Sequence, residues 1–169
     1  VSVPVEILRD HLRYTAWASA RIVEAASRLT AEELTRDFKS ADKSVLGTLV
    51  HVYGADRVWL ARIEGQTPGP LVDAERDMHL HVLQHDWPAL LARWQAWAAG
   101  LTAGDGVAEY QDLQGRPHRT PHWQIVLHLV NHGTHHRGQV SAMLRAMGHT
   151  PPPLDLIRYY RERPAAPTP

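Results

Sequence analysis

Within Asn131-His132-Gly133-Thr134-His135-His136-Arg137-Gly138-Gln139, two imidazoles stand four residues apart inside a long apolar segment. Four residues is just over one helical turn, so on an α-helix His132 and His136 share a face and can hold one metal ion together. His51 lies in a second apolar segment with helical spacing. Three neutral imidazoles around one ion leave coordination positions open, which is the pattern of a catalytic rather than a structural metal centre.

The chain has twelve histidines, so the pair needs a geometric filter. At about 100° per residue with His132 as origin, Ile125, Leu129, Val140, Met143, Leu144 and Met147 define an apolar arc and His136 falls inside it at about 40°. His128 and His135 sit at the edge of that arc. Imidazoles on a core face must be hydrogen-bonded or metallated, because bare nitrogens in an apolar interior cost a few kcal/mol. His51 lies on the flank of its own helix's stripe, a position suited to the open end of a site between helices. A histidine in an apolar helix is more often a satisfied boundary residue than a ligand, and both readings stand for these three. His11, His79, His81, His85, His118, His122 and His149 read as solvated or loop residues.

The elements that must position these groups are helical. Leu8, Leu12, Thr15, Ala18, Ile22, Ala25 and Leu29 recur at three and four, giving a first helix from Val5 to about Leu29. Thr30 and Glu33 fit a capping box that opens a short turn, and Asp37 to Lys43 reads as a loop. A second helix is expected from Ser44 to Glu64 and a third from about Trp87 to Leu101, with Asp86 as its cap and Pro88 in its first turn. Asp73 to Leu83 has no clear period, and Gly104-Asp105-Gly106 ends the third helix. Val107 to Arg119, with Gln114-Gly115 inside it, suggests a small irregular hairpin. Thr120-Pro121 signals the start of the fourth helix, which runs to Met147 with Gly148 as its stop. Leu154 to Arg161 allows one more short helix. The expected fold is all-α, a four-helix bundle in one domain over residues 1–163, followed by a disordered tail at 164–169.

Composition limits the function. The chain is 169 residues long, with Lys plus Arg equal to Asp plus Glu at 18 each. That balance leaves no positive field for nucleic acid or anionic lipid. There is no cysteine, which removes thiolate clusters and a cysteine nucleophile, so a metal must rest on His, Asp or Glu. No window has the length and apolarity of a membrane span, and no basic start precedes an apolar run, so the expected location is cytoplasmic.

The run Asn131 to Val140, with Ser44-Val45-Leu46-Gly47-Thr48-Leu49-Val50-His51 and Tyr14-x-x-Trp17, resembles the DinB-like superfamily of metalloenzymes over most of the chain. The resemblance implies a four-helix bundle, often connected up-down-down-up, that binds one divalent ion through His51, His132 and His136. Zn²⁺, Ni²⁺, Fe²⁺ and Mn²⁺ all suit imidazole, so the ion's identity is not readable. Members include transferases that use low-molecular-weight thiols and a maleylpyruvate isomerase, and they are commonly dimeric. Where many relatives carry Trp-Ala-Asn, this chain has Trp17-Ala18-Ser19, which puts that Asn's polar contact in question.

Other residues carry weaker signals. Gln139, near −20° on the wheel, is placed either to orient an imidazole or bound water or to serve as a plain polar boundary residue. Arg137 points away from the pair and suits either an anchor to another helix, a loop or a partner subunit, or a surface arginine with no role. Gly138 costs about 1 kcal/mol in a helix relative to Ala, which a close approach or a partner contact would explain. Asp56 and Tyr53 are weak acid/base candidates against a plainer role in solvation or packing. Trp59, Trp94 and Trp123 read as core or interface residues. The three-histidine site leads to a metal-dependent enzyme with hydrolysis or thiol-dependent transfer as its reaction, the thiol route and a homodimeric state being what the resemblance implies. The alternative is a non-catalytic dimeric metal-binding bundle with a stability or sensing role.

Overall fold

The computed structural model describes residues 3–103, 106–112 and 114–163; the expected tail at 164–169 and the Gly104-Asp105 helix stop lie outside them. In chain order the elements are α1 (Val5–Ala26), α2 (Ala31–Thr35), α3 (Val45–Ile63), α4 (Ala74–Asp77), a π-helical turn (Val82–Asp86), α5 (Trp87–Ala99), β1 (Val107–Gln111), β2 (Pro117–Pro121), α6 (His122–Ala146) and α7 (Leu156–Glu162). None of the described helices is long and apolar enough to cross a membrane.

The long helices α1, α3, α5 and α6 form the bundle, and side-chain contacts give their directions. His51 faces His132 and His136 while Trp59, two turns later, faces His128, so α3 and α6 are antiparallel. Arg9, early in α1, donates to the carbonyls of Ala98 and Ala99 in the last turn of α5 and of Leu101 just beyond it, so those two are antiparallel as well. Asp56 meets Trp87 and Glu64 meets Arg93, so α3 and α5 run the same way. The order is therefore up-down-down-up. Leu8, Leu12, Ile22, Leu49, Leu60, Leu83, Trp87, Ile125, Leu129 and Leu144 fill the shared core.

Both capping-box bonds form between Thr30 and Glu33. Ser44 caps α3 by accepting from Gly47 N at 3.0 Å. Two start signals act otherwise. Asp86 makes no side-chain cap bond, because the chain is already helical there. Pro88 lacks an N–H and its ring crowds the carbonyl four residues back, and the wider π-turn at Val82–Asp86 accommodates it. Thr120 also caps nothing: it lies in β2, where its hydroxyl is 3.1 Å from the Tyr110 hydroxyl, and α6 begins at His122. The hairpin pairs Val107 with Pro121 through Gln111 with Pro117. It docks on α3 through Arg62, whose guanidinium lies 4.7 Å from both the Trp59 and Tyr110 ring centres.

Candidate metal centre

α3 and α6 cross face to face near their middles and bring His51, His132 and His136 together, with one nitrogen of each within 4.8 Å of the others. The Nε2 atoms of His51 and His132 are 3.1 Å apart. Two nitrogens each about 2.1 Å from one ion lie roughly 3.0 Å apart at a right angle and 3.4 Å at the tetrahedral angle, so this spacing fits two ligands of one ion. The ring centres are 4.5 Å (His132 to His136), 4.6 Å (His51 to His136) and 5.0 Å (His51 to His132) apart. All three side chains are partly buried, which shields the cluster while leaving it reachable.

Protonation favours metal binding. Burial, followed by the neighbouring His136 and His51, pushes His132 down to about 4. Burial also lowers His136, against an opposing contribution from its hydrogen bond to Gln139. Both rings are therefore neutral at pH 7, and a neutral imidazole is the ligating form.

Gln139 Oε1 accepts from His136 Nδ1 at 2.8 Å, and its amide nitrogen lies 3.2 Å from His135 Nε2. An amide oxygen cannot donate, so His136 carries its proton on Nδ1 and keeps Nε2 free for an ion. The orienting role expected for Gln139 has its geometry here. Nδ1 of His132 is buried and meets no hydrogen-bond partner among the described residues.

A residue that helical periodicity did not reach completes the surroundings. Asp42, in the loop before α3, places Oδ1 3.6 Å from His51 Nδ1 and Oδ2 3.7 Å from His136 Nδ1. These separations are too long for direct hydrogen bonds, but the carboxylate lies over two of the three rings on the side away from the shared point. Gly47 permits this placement. A Cβ there would come 2.1 Å from the Asp42 carbonyl oxygen, so only a bare backbone lets the loop lie flush on the first turn of α3. A wheel orders residues within a helix and is blind to loops. The signal available was an acid two residues before an N-cap serine with glycine three residues after it.

The second half of the α6 motif has its own logic. Arg137 is 1 % exposed and points to the opposite side of the helix. Its NH1 donates to Ser19 Oγ and its NH2 to Thr134 Oγ1, both at 3.4 Å, and the guanidinium lies 5.6 Å from the Tyr14 ring centre. Arg137 thus anchors α6 to α1, and Ser19 itself supplies a polar contact at the position the resemblance put in question. Gly133 makes room, since a Cβ there would lie 2.6 Å from Arg137 NH1. The motif is two interleaved pairs at a spacing of four: His132 with His136 toward the metal centre, Gly133 with Arg137 toward α1. Gly138 fits no close approach, because a Cβ there would meet open space.

Asp56 is packing, not solvated chemistry. It is fully buried, accepts from Trp87 Nε1 at 2.9 Å, and is pushed up to about 7 by burial. Tyr53 is buried beneath Arg57. Of the tryptophans, Trp94 is sealed in the core while Trp59 and Trp123 are partly exposed. His128 and His135 flank the centre, with ring centres 5.6 Å from His132 and 5.0 Å from His136 respectively. His118 and His149 instead pair with Asp112 and Glu33. His122 is only partly solvated: its Nδ1 is buried near Gly106, and its ring packs 5.1 Å from that of Trp97. Concavities of about 490 and 540 Å³ lie against other faces of α1 and α6. The convergence of donors, not cavity volume, locates the centre.

An up-down-down-up helical bundle with three imidazoles positioned to bind a metal ion between its antiparallel second and fourth long helices defines the class. The chain belongs to the DinB family, whose model matches residues 5–166. It is 25 % identical over 153 residues to Protein DinB of Bacillus subtilis (strain 168), covering 86 % of this chain and 89 % of that one. In fold it is similar to the crystal structure of a DinB-like protein from Bacillus cereus ATCC 10987, with a TM-score of 0.61 at 20 % identity, over 85 % of this chain and 94 % of that one.

Proposed function

We propose that this protein is a metal-dependent enzyme whose reaction is thiol-dependent transfer or hydrolysis, with His51, His132 and His136 as the ligands of one Zn²⁺, Ni²⁺, Fe²⁺ or Mn²⁺ ion. The observation that carries the reading is the ligand count: three imidazole nitrogen donors meet, and no fourth His, Asp or Glu among the described residues joins the group. A divalent ion held by three protein ligands has room for an exogenous one, and lowers the pKa of a bound water or thiol toward neutrality. The chain's own residues supply the rest. Gln139 fixes the tautomer and rotation of His136. Asp42 offers a negative charge to the outer edges of His51 and His136. His128, one turn before His132, has solvent access, and desolvation depresses its pKa, so at pH 7 it is neutral and able to take a proton. A low-molecular-weight thiol cosubstrate and a homodimeric assembly accompany this reading through the family resemblance.

The test begins with metal analysis of the wild type against His132→Ala and His136→Ala. Stoichiometric metal in the wild type and loss in both variants supports the centre; equal, substoichiometric metal in all three sinks it. The metal-loaded protein is then assayed for thiol consumption with an activated aryl halide and for hydrolysis of nitrophenyl esters. The second reading, a non-catalytic dimeric metal-binding bundle, is favoured by the position of Asp42: this carboxylate sits on the Nδ1 side of the rings rather than beside the shared point. It expects metal-dependent melting with no turnover in either assay.

A further inference from the structure

We infer that the face of α6 opposite the histidines forms a second ligand site, which takes the oxyanion group, phosphate or carboxylate, of a small molecule. A concavity of about 540 Å³ lies between this face, the start of α7 and the segment Pro151–Leu154. Arg137 is at its base and is nine-tenths buried and more, yet its Nε has no hydrogen-bond partner and its two terminal bonds are long at 3.4 Å. Among the described residues no carboxylate lies within 4.0 Å of that guanidinium: the buried Asp56 attracts it only from farther off and is itself bonded to Trp87, and Tyr14 offers it only a ring face. A buried cation so weakly satisfied is costly unless an anion completes it.

The surroundings fit that anion. Thr134, which shares the Arg137 NH2, lines the concavity, as do Ser141 and Arg145. Positions 134, 137, 138, 141 and 145 recur at three and four and form one stripe of the helix. Arg145 is exposed and makes no ion pair among the described residues. Asp155 is the one acid in the lining, so two arginines outweigh it. Planar guanidinium groups supplemented by hydroxyls are a common way to bind oxyanions.

Gly138 supplies the independent argument. It lines the concavity, is exposed, and would place a Cβ in open space. No steric demand of the fold therefore requires glycine in mid-helix. A side chain there would enter the concavity that Gly138 lines and occupy volume a ligand needs, so the bare position keeps the site open.

The experiment titrates the wild type with inorganic phosphate and, separately, propionate by calorimetry at constant ionic strength, with sodium chloride as the control. Saturable binding of either anion beyond the control is expected, and which of them binds identifies the group recognised. Arg145→Gln should weaken binding about tenfold. Gly138→Leu should abolish binding while raising the melting temperature of the ligand-free protein by about 2–4 °C, because helix propensity improves. A purely structural glycine would not produce that opposite pair of changes. Binding of neither anion, unchanged binding in Gly138→Leu, or binding that disappears on EDTA treatment and so belongs to the histidine centre would overturn the inference.

Discussion

Asp56→Asn should raise stability above neutral pH, and the buried carboxyl sets the size of the effect. Asp56 lies at 1 % exposure with Oδ2 bonded to Trp87 Nε1 and Oδ1 without a partner. Burial raises its pKa from 3.8 to about 7. In that direction the folded state holds the proton more tightly than the unfolded chain. The residue is therefore neutral to stability below pH 3.8, and stability is progressively lost as pH rises from there to about 7. The difference, 7 minus 3.8, corresponds to about 4 kcal/mol at 1.36 kcal/mol per unit, of which about 2–3 kcal/mol falls between pH 5 and 8. Asparagine keeps an acceptor for Trp87 and carries no charge at any pH. The variant's stability relative to wild type should thus improve by that amount from pH 5 to pH 8, about 4–12 °C in melting temperature for a chain of this size. Urea unfolding of both proteins in EDTA at pH 5, 6, 7 and 8 measures it. A pH-independent difference would show that Asp56 ionises as an ordinary surface carboxylate. A difference of opposite sign would show that its attraction to Arg137 outweighs its desolvation.

Three further outcomes follow from the centre and its supports. Gln139→Leu removes the acceptor that holds His136 and should weaken metal affinity about 10- to 100-fold with little change in fold, read by competition with a chromogenic chelator. Gly47→Ala places a methyl 2.1 Å from the Asp42 carbonyl oxygen and should cost about 1–3 kcal/mol despite alanine's better helix propensity, measured by chemical unfolding. His132 and His136 have depressed pKa values, so the metal-free protein holds their full contribution above about pH 6.5 and loses it as pH falls toward about 4. His132→Asn should flatten that acid limb in a melting-temperature series, and an unchanged limb would mean the titrating groups lie elsewhere.

Periodicity alone was enough to identify the bundle and the face of α6 that carries His132 and His136, because a helix's side-chain directions repeat every 3.6 residues whatever it packs against. Helix ends marked by local chemistry were equally legible: the Thr30–Glu33 box, Ser44 at α3 and Gly148 after α6 act within a few residues of themselves. The failures share a cause. Thr120 and Asp86 carry good local cap signals, yet a cross-hairpin partner takes the first and a π-turn forced ahead of Pro88 overrides the second. The meeting of His51 with the α6 pair depends on helix direction and crossing. So does the approach of Asp42, held through Gly47, and the seating of Arg137 against Ser19 from 118 positions earlier. Each is a contact between segments distant in the chain, which packing of the whole core decides and which no local spacing encodes.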